Sequence, residues 1–370
     1  MKKTFAQMIS SMDEELSTRM ASKVPEWAGC ISEMKFPSRL CTEQCSSSAT
    51  ARGKAATAAR IVPGGRIADL TGGLGVDSWA FSLQMSAVLH NERNAELAEA
   101  AAANFRTLGI NNISTTSVDI SSETIGSLLD EFNPDMVYMD PARRSATGRK
   151  VFLLEDCEPD VLRLMPEIFA RCRHLLLKVS PMADITMLAS RLGKGLREVH
   201  VVEAGREVKE LLLWVDRDWD GDWTISAGGI TFKPGDEASS PVTFVESEAG
   251  IRPGRHLTEP SAALLKAGAF RLPCSLFGAE KLAPSTHLYI SDDMKDFGKS
   301  FTIVDVLPFS KSGIKAAGAA WPVAEVTARN IPMSSDELRK RLGVKSGDGT
   351  HIFGVSAVSG KYLIICQADI

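Results

Sequence analysis

The residues whose types and spacing could do chemistry are four acids and a run of glycines. Asp69-Leu70-Thr71-Gly72-Gly73-Leu74-Gly75-Val76-Asp77 follows a short apolar run and opens an amphipathic one. Glycine at such a bend allows positive φ and lets a ligand lie against bare backbone. On its own the pattern fits a dinucleotide, a methyl donor or a plain strand-to-helix turn. Glu92 ends the next apolar run, Asp119 the third and Asp140-Pro141 the fourth. A carboxylate at Glu92 can accept both hydroxyls of a ribose, and one at Asp119 can meet an adenine amino group. Asp140 stands where a transferred group would sit and is the candidate to orient or deprotonate a target nitrogen. Asp69, ahead of the bend, can order water or contact the amino-acid end of a donor.

For these acids to converge, each must sit at the tip of a parallel strand. The sequence predicts strands over 67–70, 87–92, 113–119, 135–140 and 174–180, alternating with helices over 75–85, 94–108, 121–132, 155–171 and 183–192. Five such units in a row imply an α/β fold, a parallel sheet with helices on both faces. The run then changes character. Strands are predicted over 196–204 and 207–215, with only Gly205-Arg206 between them. A two-residue link cannot be a crossover, so the last strand must be antiparallel. That ending, and Ser78 at the place of the third glycine of a dinucleotide fingerprint, favour a methyl donor over nicotinamide.

Around this domain (61–217) the chain divides into an N-terminal helical segment (1–60), a small β-containing, ferredoxin-like region (218–294) and an α+β region (295–370). An Ala-rich helix is predicted over 49–59, stopped by Pro63-Gly64-Gly65. Strands are expected near 223–225 and 242–245, and a hairpin around Ser359-Gly360.

Bulk properties narrow the class. Of 370 residues 44% are hydrophobic and 24% charged, ordinary for a globular chain, and the net charge of −4 does not describe a strongly basic nucleic-acid protein. The seven Cys are odd in number and scattered, and the six His are dispersed. Reduced thiols, no metal site and a cytoplasmic home are expected. The beginning, Met1-Lys2-Lys3-Thr4-Phe5-Ala6-Gln7, lacks the apolar stretch of a signal peptide, and no apolar run is long enough for a membrane span.

Asp69-x-Thr71-x-Gly73-x-Gly75, Glu92, Val118-Asp119-Ile120 and Asp140-Pro141-Ala142-Arg143 follow one another in the order and spacing of the class I S-adenosylmethionine-dependent methyltransferases, which region 61–217 resembles. Thr71 replaces the first glycine and Ala142 the second proline of that pattern. The whole chain is similar to the bacterial members that carry a C-terminal THUMP-like domain. That likeness rests on Asp140-Pro141-Ala142-Arg143-Arg144, Lys178-Val179-Ser180-Pro181-Met182, Glu207-Val208-Lys209-Glu210-Leu211-Leu212 and Asp305-Val306-Leu307-Pro308-Phe309-Ser310. It implies a seven-stranded Rossmann-like sheet and S-adenosylmethionine as cofactor, held by Asp69, Thr71, Gly72, Gly73, Gly75, Asp77, Glu92, Asp119 and Asp140. Asp140, Pro141 and Arg143 would form the catalytic corner, with Arg143, Arg144, Lys178 and Ser180 toward substrate.

The variant after the fourth strand selects among chemistries. No aromatic follows Pro141, so a base-stacking ring is missing there. Methylation at uridine carbon 5 needs a thiolate after the fifth strand, and Ser180 stands at that place, so a nitrogen or oxygen target is expected. Arg143 and Arg144 suit a bidentate phosphate clamp as well as a solvated loop. Lys178 suits substrate contact or a snorkelling strand end, and Lys209 and Glu210, which interrupt an apolar strand, suit a paired structural ion or a catalytic role. RNA as partner follows from the THUMP-like resemblance and from a basic lean at Lys311, Lys315, Arg329, Arg339, Lys340, Arg341 and Lys345. A protein or small-molecule substrate, and a non-catalytic RNA-binding protein with a relict donor fold, remain as alternatives.

Overall fold

The computed structural model describes residues 5–143, 154–347 and 349–368, with the side chains of 5–12 and 143 outside that description. Arg144, and the side chain of Arg143, therefore lie outside the described residues. The chain forms two compact units, Met1–Thr224 and Ile225–Ile370.

Unit 1 begins with helices α1 (Phe5–Lys23), α2 (Arg39–Gln44) and α3 (Ser48–Ile61). The Ser47 hydroxyl caps α3 by accepting from the Thr50 N–H. Strands and helices then alternate: β1 (Arg66–Asp69), α4 (Val76–Ser82), β2 (Ala87–Asn91), α5 (Ala95–Thr107), β3 (Ile113–Thr116), α6 (Ile125–Phe132), β4 (Met136–Met139), α7 (Val161–Arg171), β5 (His174–Val179) and α8 (Ile185–Leu192). Asn94, Asp160 and Asp184 cap α5, α7 and α8 through their side chains. β6 (Leu196–Ala204) and β7 (Glu207–Asp216) close the unit. Gly205 and Arg206 both take positive φ, 62° and 65°, as a two-residue hairpin turn requires.

Seven strands of the nine-stranded sheet run in the order β6-β7-β5-β4-β1-β2-β3, and an antiparallel hairpin of Thr224–Ala227 and Ile230–Phe232 follows in the chain. β1 to β5 pair in parallel, and β7 is antiparallel to both β5 and β6. The strand directions agree with the sequence expectation. β3 is shorter than predicted and stops at Thr116, which leaves Asp119 in the following loop. The core joins the N-terminal helices to the sheet, with Trp27, Ala51, Ala55 and Ala58 packed with Ile67, Trp79 and Tyr138. Trp79 meets Trp27 edge to face, a core contact rather than a stacking platform.

Unit 2 holds one seven-stranded sheet. Its strands are β8 (His256–Pro260), β9 (Glu280–Ala283), β10 (Thr286–Ser291), β11 (Gly298–Pro308), β12 (Glu325–Arg329), β13 (Thr350–Ala357) and β14 (Gly360–Ala368). Helices α9 (Lys311–Ala320) and α10 (Ser335–Leu342) flank β12 in the chain. The strand order is β9-β10-β8-β11-β14-β13-β12, and the β13–β14 hairpin turns at Ser359-Gly360 as expected. The boundary read at 294/295 falls inside this sheet, between β10 and β11. The alternation at Val242–Val245 does not make a strand; it yields only an isolated bridge from Phe244 to Lys281. Among the described residues no helix is long and apolar enough to cross a membrane.

Candidate active site

The bend after β1 takes positive φ at Gly73 (55°) and Gly75 (88°), a region other residues enter at a cost. Gly72 is required for another reason: a Cβ there would stand 2.2 Å from the His90 ring. The Gly73 N–H donates to Glu92 Oε2 and the Asn94 N–H to Glu92 Oε1, each at 2.9 Å. Glu92 is thereby fixed between the bend and the head of α5, with lone pairs left over.

The two residues that break the glycine pattern carry hydroxyls that wire the site. The Asp140 N–H donates to Thr71 Oγ1 at 2.6 Å, tying the tip of β4 to the bend. Ser78 Oγ donates to Asp69 Oδ2 at 2.6 Å and lies 2.8 Å from His90 Nδ1. Asp69 Oδ1 accepts the Thr71 N–H at 3.2 Å. With both oxygens engaged and 1% exposure, Asp69 orders the bend from beneath. Burial pushes its carboxyl up to about 8, and burial lowers the His90 imidazole to about 3.

A cleft of about 860 Å³ opens beyond the carboxyl ends of β1 to β5. Thr71, Gly72, Gly73, Gly75, Asp77, Glu92, Asp119, Asp140 and Lys178 all line it, so these sequence candidates do converge. Pro141 and Ser180 do not. Pro141 is buried, and Ser180 Oγ turns back to accept the Met182 N–H at 3.2 Å. The far wall comes from outside the alternating region: Ser38, Leu40, Cys41, Gln44, Cys45 and Ser46, on and around α2. At the rim, Arg93 and Glu158 pair at 2.7 Å.

Lys178 Nζ lies 2.5 Å from Asp140 Oδ2. Burial works against this ammonium, but the Asp140 carboxylate outweighs it and raises the Lys178 pKa. Asp140 is thus fixed twice, by Thr71 at its backbone and by Lys178 at its side chain, while still facing the cleft.

Behind Asp77 lies Lys54, from the stretch Arg52-Gly53-Lys54 that the sequence offers as a lid over the donor or a substrate contact, and more often as a packed helix. Lys54 of α3 is 1% exposed. Its Nζ sits 3.0 and 3.1 Å from the two Glu210 oxygens, 3.2 Å from Asp77 Oδ1 and 3.0 Å from Ser46 Oγ. The Tyr138 hydroxyl donates to Asp77 Oδ2 at 2.8 Å. Burial raises the Glu210 pKa, with Lys54 opposing. The signal was present in the sequence. Ala51, Lys54, Ala55 and Ala58 share one helical stripe, so a lysine interrupts an otherwise apolar face. Glu210 likewise interrupts an apolar strand, and it is the expected structural ion pair.

Residues 256–297 match a family described as a ferredoxin-like domain, and residues 298–368 match one described as THUMP domain-like. No curated protein matches the chain. Among solved structures, a candidate methyltransferase from Porphyromonas gingivalis W83 is 33% identical over 97% of this chain and 90% of that one, with a TM-score of 0.84. A precorrin-6y C5,15-methyltransferase from Geobacter metallireducens GS-15 is 15% identical over 50% of this chain and 93% of that one, with a TM-score of 0.34. A ribosomal protein L11 methylase from Lactobacillus delbrueckii subsp. bulgaricus is 17% identical over 46% and 78%, with a TM-score of 0.31.

Proposed function

This chain belongs to the bacterial class I methyltransferases that carry a C-terminal THUMP-like domain, and from that premise we propose that its cleft binds S-adenosylmethionine and delivers the methyl group to a nitrogen or oxygen atom of RNA. One observation carries the reading. Glu92, pinned against the Gly73 N–H, shares a single cleft with Asp119 and Asp140. The donor set suits an adenosyl nucleoside: a carboxylate with spare lone pairs for a ribose diol, an exposed carboxylate for an amino group, and bare backbone at Gly73, where nothing lies within 4 Å of an added Cβ.

Bound there, S-adenosylmethionine supplies a methyl group on a sulfonium whose departure leaves a neutral thioether. The remaining work belongs to this chain. Glu92 holds the ribose and Asp119 the adenine edge. Thr71, Gly72, Gly73 and Gly75 shape the bend against the nucleoside, and Asp77 lies under it. Asp140, immobilised by Thr71 and Lys178, accepts a hydrogen bond from the acceptor N–H or O–H and aims its lone pair. Alignment of this kind supplies about 7–11 kcal/mol of barrier reduction. RNA as substrate is supported by the THUMP-like match and by Lys311, Lys315, Lys340, Arg341 and Lys345. Arg329 and Arg339 of the same lean are already paired, with Glu259 and with Glu325 and Asp336. A net charge of −4 makes the expected affinity modest and salt-sensitive.

Two measurements test the reading. Calorimetry with S-adenosylmethionine and S-adenosylhomocysteine is expected to show binding that weakens at least about tenfold in Glu92→Ala, the scale of one lost charge-assisted contact. Absence of binding to the wild type overturns the donor assignment. Incubating tritiated donor and enzyme with RNA from a strain lacking the gene is expected to label a nucleoside. Label found only in protein or small molecules overturns the RNA assignment.

A further inference from the structure

The groups behind the cleft do not balance in charge. Four carboxyl groups, Asp69, Asp77, Asp140 and Glu210, interact with one another and with only two ammonium groups, Lys54 and Lys178. The other titratable neighbours stay neutral. His90 is held uncharged by burial, Tyr138 is pushed well above its ordinary value, by burial first and by Asp77 next, and the Cys45 thiol, which also faces Asp77, is pushed up to about 11 by burial. A buried cluster short of positive charge is costly unless a cation or protons complete it. One further observation says where the missing charge belongs. Asp77 is 8% exposed and lines the cleft. Its Oδ1 lies 3.2 Å from Lys54 Nζ yet accepts no hydrogen bond.

We propose that this cluster is the counter-charge for a cation in the cleft, holding an extra proton when no cation is present and releasing it when a cationic ligand enters. The proposal rests on the donor reading above and adds to it that the cluster distinguishes the sulfonium donor from its neutral thioether product. Asp69, with its carboxyl pushed up to about 8 by burial, is the proton holder, and Glu210, paired with Lys54 through both oxygens, adds to the negative charge around it. Lys54 and Glu210 are positioning residues in this scheme, since they act through Asp77 and Lys178. The accounting closes over a turnover at an N–H acceptor. The carbon–sulfur bond breaks with its electron pair remaining on sulfur, and the nitrogen lone pair forms the new bond to carbon. The displaced N–H proton replaces the one the cluster gave up when the donor bound. The product complex is then as neutral as the free protein.

Proton-linked calorimetry near neutral pH tests this on the intact chain. Binding enthalpies are measured in phosphate and in Tris, whose ionisation heats differ, for S-adenosylmethionine and for S-adenosylhomocysteine. Wild-type protein is expected to release roughly half to one proton more with the first ligand, so that the ratio of the two affinities shifts toward the sulfonium by up to about tenfold per pH unit as pH rises. The excess is expected to fall by at least half in Glu210→Gln or in Asp69→Asn. Equal proton counts for the two ligands in the wild type overturn the proposal without any variant. An excess left unchanged in both variants overturns it as well. Failure of both ligands to bind would instead overturn the donor assignment.

Discussion

The two sides of the cleft are built by different means. The wall formed by the bend and Glu92 is local. Gly73 and Glu92 are 19 residues apart, and the contact that joins them comes from a backbone N–H. The floor is assembled from a distance. Lys54 and Glu210 are 156 residues apart and meet only as buried side chains, beneath a helix that belongs to the N-terminal segment. A wall of backbone groups costs little to hold in place, since those groups are constrained by the strand and helix they join. A floor of buried charges carries a desolvation penalty that only complete pairing offsets. The wall should therefore tolerate loss of side chains around it, whereas the floor should not tolerate loss of one.

The sharpest break is Lys54→Met. It leaves Asp77 and Glu210 without their shared cation, and loss of one partner of a buried pair costs about 3–5 kcal/mol. The damage should depend on pH. With Lys54 gone, the Glu210 carboxyl, already raised by burial, moves further up. A carboxyl raised in the folded state favours folding below its ordinary value and loses that advantage as pH rises toward the raised one. Urea denaturation should thus show a deficit that is largest at neutral pH and shrinks toward about pH 4. A deficit below about 1 kcal/mol, or one independent of pH, would mean that the floor is not held by this pairing.

Gly72→Ala strikes the wall at a steric requirement of the bend. The new Cβ would stand 2.2 Å from the His90 ring. That ring is itself buried and fixed beside Ser78, so the bend must shift. Overpacking of this kind costs about 1–3 kcal/mol, and binding of S-adenosylhomocysteine should weaken with it. Gly73→Ala, with nothing within 4 Å of its Cβ, should carry only the smaller penalty of its positive φ.

The same contrast explains what could be read from the sequence. Strand and helix alternation and the Gly205-Arg206 turn are short-range signals, and they carried the parallel strands, the antiparallel last strand and the convergence of Glu92, Asp119 and Asp140. The direction Asp69 faces was not legible, for a physical reason. An acid before a glycine bend is equally suited to face a ligand or to order the bend, and the choice was made by Ser78, nine residues on. Lys54 was visible as a cation on an alanine stripe, but its partners lie on α4 and β7, and no local rule pairs them. Ser180 and Pro141 sit at the right strand tips, yet a strand tip fixes only a neighbourhood. Whether a side chain turns into the cleft depended on the next turn, as with Ser180 and Met182.

The opposite edge of the sheet sharpens the comparison with reversed sign. Asp216, at the end of β7, opposes His174 at the start of β5. Burial works to raise its carboxyl, but Arg173, the Asp218 N–H and Arg197 outweigh it and hold the group at about 2. A depressed carboxyl stabilises the fold above its ordinary value, and that contribution is lost as pH falls through the folded value. Between about pH 4 and pH 2 the wild type should lose about 1–2 kcal/mol that Asp216→Asn does not lose. Acid titration of the two proteins by circular dichroism reads the difference.

The smallest effect belongs to the rim. Arg93 and Glu158 pair at 2.7 Å with side chains 57% and 48% exposed. Exposed pairs of this sort contribute about 1 kcal/mol or less and are screened by salt. Arg93→Ala should leave the melting temperature nearly unchanged. It should weaken S-adenosylhomocysteine binding by about threefold at most and remove part of its salt dependence. A loss of about a hundredfold, equivalent to about 2.7 kcal/mol, would show that a mobile surface side chain, and not the backbone bend with Glu92, supplies the grip on that side of the cleft.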